Sequence, residues 1–120
     1  MRPIPPSLRQ QLDRQPRMHR CVIAPLQRIY GRCSGRIQWH HPWIYAGKQI
    51  NEPWAIVGAC EGHHDEVTKD RAIKQAFETD SLMRATDEDL AKYPRKDWEQ
   101  IKRTLGITRR KNGRKNNSQT

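Results

Sequence analysis

Apolar residues are scarce: they make up 34% of a 120-residue chain, and mean hydropathy is −1.05. That excludes a large self-sufficient core, and a small domain of this kind commonly needs a metal or an interface to complete it. No stretch approaches the roughly 20 apolar residues of a membrane-spanning helix. The Pro- and Arg-rich start lacks the apolar run of a secretory signal. Cysteine is limited to three, an odd number, which argues against a disulfide framework. The expectation is a cytoplasmic protein whose reduced thiols are available for metal. There is no internal repeat.

Positive charge is what the chain has in excess. It holds 23 Lys or Arg against 13 Asp or Glu, for a net charge of +10 and a pI of about 10.1. Residues 1–40 carry eight bases and one acid, residues 41–93 six bases and ten acids, and residues 94–120 nine bases and two acids. Two basic flanks around a mildly acidic centre suit a polyanion, and DNA is the expected partner. Arg14, Arg17, Arg20, Arg28, Arg32 and Arg36 form the expected footprint. The basic run over 109–115 would add salt-dependent affinity without sequence preference.

The hydrophobic pattern is α+β. Ser7 is expected to cap a short helix through Leu8 and Leu12, ended by Pro16. Residues 20–33 fit either a strand with a turn or a helical segment. Ile37-Gln38-Trp39-His40 alternates, which predicts a short strand with Ile37 and Trp39 on one face and Gln38 and His40 on the other. A connection containing Pro42, Ala46-Gly47 and Pro53 then leads to a returning strand over 54–59. From His64 the spacing of Val67, Ile73, Ala76 and Phe77 turns helical. A second helix starts at Thr86, with Asp89 as a weak capping box, and a third follows Pro94, with Trp98, Ile101 and Leu105 on one face and Gly106 as its stop. Residues 108–120 have no apolar content and are expected to be disordered.

The chemistry concentrates in two doubled histidines. His40-His41 closes the first strand, and Cys60-Glu61-Gly62-His63-His64 follows the second. The strands of a hairpin return to the same end, so the two pairs can meet there. Imidazole suits zinc and other transition ions, and neighbours on a strand point opposite ways. One histidine of each pair can therefore ligate a metal while the other serves elsewhere.

Trp39-His40-His41 followed by Cys60-Glu61-Gly62-His63-His64 resembles the HNH nucleases of ββα-metal fold, especially small phage and prophage members, over roughly residues 21–75. The resemblance implies an α+β chain. A long-loop β-hairpin plus helix would form the core over 20–80, after a basic arm over 1–19, with further helices over 81–107 and the tail over 108–120. It implies a metal-dependent DNA endonuclease leaving 5′-phosphate ends, acting in phage DNA recombination or processing. His41 matches the general base, suited to neutral pH because its unperturbed pKa is about 6.5. His40 and His64 match the ligands of a catalytic divalent cation, with Mg, Mn, Ni and Zn all open. The family's middle Asn is displaced here, with Asn51 the nearest. Some relatives place a third ligand where this chain has Thr68, and Glu61 or Asp65 could substitute.

Many relatives also hold a structural zinc. Cys60 and His63 have the spacing of half a zinc knuckle, and Cys33-Ser34-Gly35 looks like part of the other half. Tyr30 stands where that half's first cysteine would be, so Cys21, Cys33, Cys60 and His63 would make the site, of Cys3His type. Arg28, Arg32, Arg36, Lys48 and Trp43, with Tyr45, are the expected DNA contacts, whereas Trp39, Trp54 and Trp98 are expected in the core. A homodimer could cut both strands. The main alternative is a non-catalytic zinc-stapled DNA-binding module, and a third is an adaptor using the acidic segment 65–89.

Overall fold

The computed structural model describes residues 4–94 and 96–107, and the tail expected to be disordered lies outside them. The described chain is α+β. Strand β1 (Ile37–His40) runs into a connection that folds into a small hairpin of β2 (Ile44–Tyr45) and β3 (Lys48–Gln49). After a 3-10 turn at Pro53–Ala55 the chain returns as β4 (Val57–Cys60), antiparallel to β1. In this register Ile37 faces Cys60 and His40 faces Val57. The helices are α1 (Pro6–Asp13), α2 (Gln27–Tyr30), α3 (Glu61–Glu66), α4 (Arg71–Arg84), α5 (Asp87–Ala91) and α6 (Trp98–Leu105).

All four residues of β4 are buried, so both faces of this strand are covered. Val57, Ala59 and Cys60 share a core with Ile23 of the N-terminal half and Ile73 and Phe77 of α4. The N-terminal segment lies close against the strand. Val22 N–H donates to the Gly58 carbonyl at 3.0 Å, and a Cβ on Gly58 would collide with the Arg20 carbonyl. Leu12 and Met18 are fully buried around Ile56, so the expected arm over 1–19 is, from residue 4 onward, packed structure. Arg17 is part of that packing. Its guanidinium donates to the Ile56 carbonyl at 2.8 Å, the Pro53 carbonyl at 2.6 Å and Gln15 Oε1 at 2.8 Å, which removes it from the expected DNA footprint.

Some boundaries differ from expectation for local reasons. Helix α1 begins at Pro6 with Pro5 as its N-cap, so Ser7 sits inside the first turn and caps nothing; proline suits the first helical position because its missing N–H has no partner there anyway. The return strand starts at residue 57, because residues 53–55 form the 3-10 turn. Helicity after Cys60 breaks between α3 and α4. Asp70 interrupts it by capping α4, with Oδ1 accepting from Ala72 N–H at 2.9 Å and Ile73 N–H at 3.3 Å. Thr86 and Asp89 form a full capping box on α5. Gly106, left-handed at φ 76°, ends α6.

The tryptophans organise the far end. Trp43, Trp54 and Trp98 pack edge-on, with ring centroids 5.4 Å apart for Trp43–Trp98 and 6.0 Å for Trp54–Trp98. Leu82 of α4 and Leu90 of α5 close this cluster, so the helices beyond residue 80 belong to the same packed body as the hairpin. Trp43 is only 6% exposed, and its indole donates to Ser81 Oγ at 2.6 Å. It is a core residue rather than the DNA contact expected, because α4 and α6 cover its loop. Trp39 is half-buried, donating to the Met18 carbonyl at 3.0 Å beneath the Arg9 guanidinium. No helix among the described residues is long and apolar enough to cross a membrane.

The Gly58 contact predicts that Gly58→Ala destabilises the fold by about 1–3 kcal/mol through forced backbone displacement. Urea denaturation beside wild type measures it, and an unchanged midpoint would contradict the packing described.

Candidate functional site

Four ligand-bearing side chains converge from separate stretches of sequence. Cys21 follows the N-terminal turns, Cys33 lies in the loop before β1, Cys60 ends β4 and His63 lies in α3. Their ligand atoms all lie within 4.8 Å of one another. His63 Nδ1 is 3.2 Å from Cys60 Sγ, 3.7 Å from Cys33 Sγ and 3.8 Å from Cys21 Sγ. A tetrahedral ion with Zn–S near 2.3 Å and Zn–N near 2.0 Å spaces its ligands roughly 3.5–3.8 Å apart. The group can therefore hold a metal ion such as zinc.

The surroundings suit a thiolate site. Cys60 Sγ caps α3, accepting from the His63 N–H at 3.4 Å, and accepts from Ser34 N–H at the same distance. Cys21 Sγ accepts from Ile23 N–H at 3.4 Å. His63 Nε2 donates to the Tyr30 carbonyl at 3.2 Å, which fixes the tautomer that leaves Nδ1 as ligand. Sequence reasoning missed Tyr30 in this role, since it acts through its backbone and its side chain carries no signal. The loop before β1 lies directly on α3: Gly62 N–H donates to the Ser34 carbonyl at 3.1 Å, and Gly35, at φ 81°, passes so close to Glu61 that a Cβ would collide with its side chain.

The thiols themselves favour a cation between them. Burial, then the neighbouring Cys21 and Cys60, pushes Cys33 up to about 12, and burial raises Cys21. Burial also acts upward on Cys60, but hydrogen bonds, led by those from the His63 and Ser34 N–H groups, outweigh it and hold this thiol at about 7. Three crowded sulfurs can all ionise only if a positive ion offsets their repulsion.

The other histidine of the second pair faces elsewhere. His64 meets His40 with ring centroids 5.0 Å apart at an interplanar angle of 79°, and Phe77 packs on His40 at 5.4 Å. Burial, followed by His64 and His41, holds His40 down at about 4, so it is neutral at physiological pH with a lone pair to give. Beside it, His41 Nε2 donates to Asn51 Oδ1 at 2.9 Å. The carbonyl oxygen can only accept, so Nε2 carries the proton and Nδ1 keeps the lone pair. Burial lowers the His41 pKa, against the upward pull of the Asn51 bond.

The remaining candidates do not gather at these histidines. Glu61 and Asp65 are exposed, and the Cys3His set is the only group of three or more His, Cys, Asp or Glu ligands among the described residues. Neither acid thus supplies the third ligand considered for His40 and His64. Arg28, Arg32, Arg36 and Lys48 are exposed. Tyr45 is half-buried against Tyr93, with ring centroids 5.0 Å apart.

The cluster predicts about one zinc per chain in purified protein, and Cys33→Ser should lose it and melt at lower temperature. Atomic absorption with a thermal melt checks this; a variant with full zinc and wild-type stability would remove Cys33 from the site.

No protein-family model matches the chain, and neither a curated protein nor a solved structure does.

Proposed function

We propose that the chain is a small metal-dependent DNA endonuclease of the HNH type, with β1, β4 and α3 as its ββα-metal core. The observation that carries this reading is the His41–Asn51 hydrogen bond of 2.9 Å beside two imidazoles that face each other at 5.0 Å. On this reading, His41 is the base, Asn51 the group that orients it, and His40 and His64 the metal ligands.

In this reading His41 Nδ1 takes the proton from the attacking water. Asn51 holds the ring in the tautomer that makes Nδ1 basic, and it also keeps the imidazole from turning. His40 and His64 would hold the divalent cation, which when bound neutralises charge on the scissile phosphate and on the leaving oxygen. His40 is already neutral, so it need not lose a proton to ligate. The exposed Arg28, Arg32, Arg36 and Lys48 would hold the DNA backbone, with affinity that falls as salt rises. The Cys3His group is the structural staple in this scheme, because α3 carries His63 to that group and His64 to the other.

A zinc-stapled DNA-binding module without catalysis is the competing reading. It is favoured because, among the described residues, no third His, Cys, Asp or Glu ligand atom converges with those of His40 and His64.

Plasmid cleavage by metal-stripped protein, with Mg, Mn, Ni and Zn restored separately, separates the two. Cleavage should return with at least one ion. His41→Ala should lower the rate by about 100-fold or more, and Asn51→Ala should lower it less, with DNA affinity unchanged in both. Failure of every ion to restore cleavage, with salt-sensitive DNA binding intact, would establish the binding module instead.

A further inference from the structure

The three thiols of the Cys3His group are not held alike. Cys21 and Cys60 are 4% and 1% exposed, inside the core shared by β4 and α4. Cys33 is the least buried of the three. It stands on a coil between α2 and β1, where Gly31, Arg32, Ser34, Gly35 and Arg36 around it are all exposed. Gly31 and Gly35 both carry positive φ, at 95° and 81°, so this coil belongs to no helix or strand. Cys60 closes β4, and the segment after Cys21 is tied to β4 by the bond from Val22 N–H to the Gly58 carbonyl. Of the three sulfurs, Cys33 is thus the one whose departure from a metal requires only a surface coil to lift.

Its nearest partner is set by the bonding of that coil. Cys60 Sγ accepts from Ser34 N–H at 3.4 Å, so it lies against the residue that follows Cys33. Gly62 N–H donates to the Ser34 carbonyl at 3.1 Å, and Glu61 N–H to the Arg36 carbonyl at 3.0 Å. The coil is therefore stitched to the residues just beyond Cys60. The ligand atoms of the group lie within 4.8 Å of one another. A disulfide bond of about 2.05 Å would ask the two sulfurs to close by about 3 Å at most.

We propose that the Cys3His group is also a peroxide-sensitive switch, in which oxidation joins Cys33 to Cys60, expels the zinc and releases α3. The Cys33 thiolate attacks one oxygen of hydrogen peroxide. An S–O bond forms, the O–O bond breaks and hydroxide leaves, so the sulfur is oxidised to a sulfenic acid and the peroxide is reduced. The Cys60 thiolate then attacks the Cys33 sulfur; the S–S bond forms, the S–O bond breaks and a second hydroxide leaves. Two thiolates and one peroxide become one disulfide and two hydroxides. Cys21 and His63 are then the only ligands left of the four, too few to hold tetrahedral zinc. Helix α3 has six residues and relies on Cys60 Sγ as its cap and on His63 as its tether. A helix that short does not persist unaided. Because α3 also carries His64, the state of the sulfurs reaches the His40–His64 pair. The switch rests on the group holding zinc and is independent of the cleavage reading.

The test is titration of zinc-loaded full chain with hydrogen peroxide. A chromogenic chelator follows the zinc, a thiol reagent counts the cysteines and mass spectrometry of the digest maps the crosslink. One zinc should leave as two thiols are lost, with Cys33 joined to Cys60 and Cys21 still free. A thiol reductant with added zinc should reverse both changes. In NMR spectra the ring signals of His64 should move on oxidation and return on reduction. Cys33→His keeps four ligands without the surface sulfur, and it should release zinc about tenfold more slowly or slower still. If that variant takes up no zinc, the wild-type crosslink and thiol count decide. Release at the wild-type rate from a zinc-loaded Cys33→His protein would overturn the switch. So would zinc lost with all three thiols intact, oxidation to sulfinic acid without a crosslink, a crosslink other than Cys33–Cys60, or unmoved His64 signals. A wild-type chain that takes up no zinc would overturn the switch together with the metal site.

Discussion

The structure depends on the meeting of three thiols and one imidazole. Cys21, Cys33, Cys60 and His63 are drawn from the N-terminal turns, the loop before β1, the end of β4 and α3, and their ligand atoms lie within 4.8 Å. Besides the β1–β4 pairing, a chain only 34% apolar joins these pieces by a modest amount of hydrophobic packing. The hydrophobic cluster beside them is small, and one side of it is the sulfurs themselves. Structural zinc contributes roughly 10–16 kcal/mol to folding, against a net stability of about 5–15 kcal/mol for a typical domain. On those magnitudes a bound metal would decide whether this half of the molecule is folded.

The same group also fixes the position of the paired histidines. Cys60 ends β4 and caps α3, so the strand and helix meet at a ligand. His63 then turns towards the sulfurs and His64 towards His40. The β1–β4 register sets His40 opposite Val57, and the end of β1 lies alongside Phe77 of α4. The connection between the strands carries Asn51 back to His41. The small β2–β3 hairpin within it is closed by Ala46 at φ 52° and Gly47 at φ 79°, a turn that matches strand twist and shortens the path.

Much of this was legible in the sequence wherever the signal is local. The strand over residues 37–40, the Thr86–Asp89 box and the Gly106 stop each depend on a few adjacent residues, and each forms, although burial along the strand runs exposed then half-buried rather than alternating. The Cys3His set was legible too, because cysteine and histidine are few enough for the ligands to be counted. What escaped depends on tertiary partners. Trp43 reads as an exposed loop residue until α4 and α6 cover it. Arg17 reads as one more DNA-facing cation until its carbonyl acceptors at Pro53 and Ile56 are known. Tyr30 contributes a carbonyl, which every residue has. The break before Asp70 was locally encoded, but the apolar spacing across it masked the cap.

The zinc K-edge absorption spectrum of the purified protein tests the central claim most directly. Three sulfur scatterers near 2.3 Å and one nitrogen near 2.0 Å are predicted, with one sulfur lost in Cys33→Ser if any zinc remains. A shell of nitrogen and oxygen alone would show that the thiols do not hold the metal, and would contradict the account of how this chain is stapled.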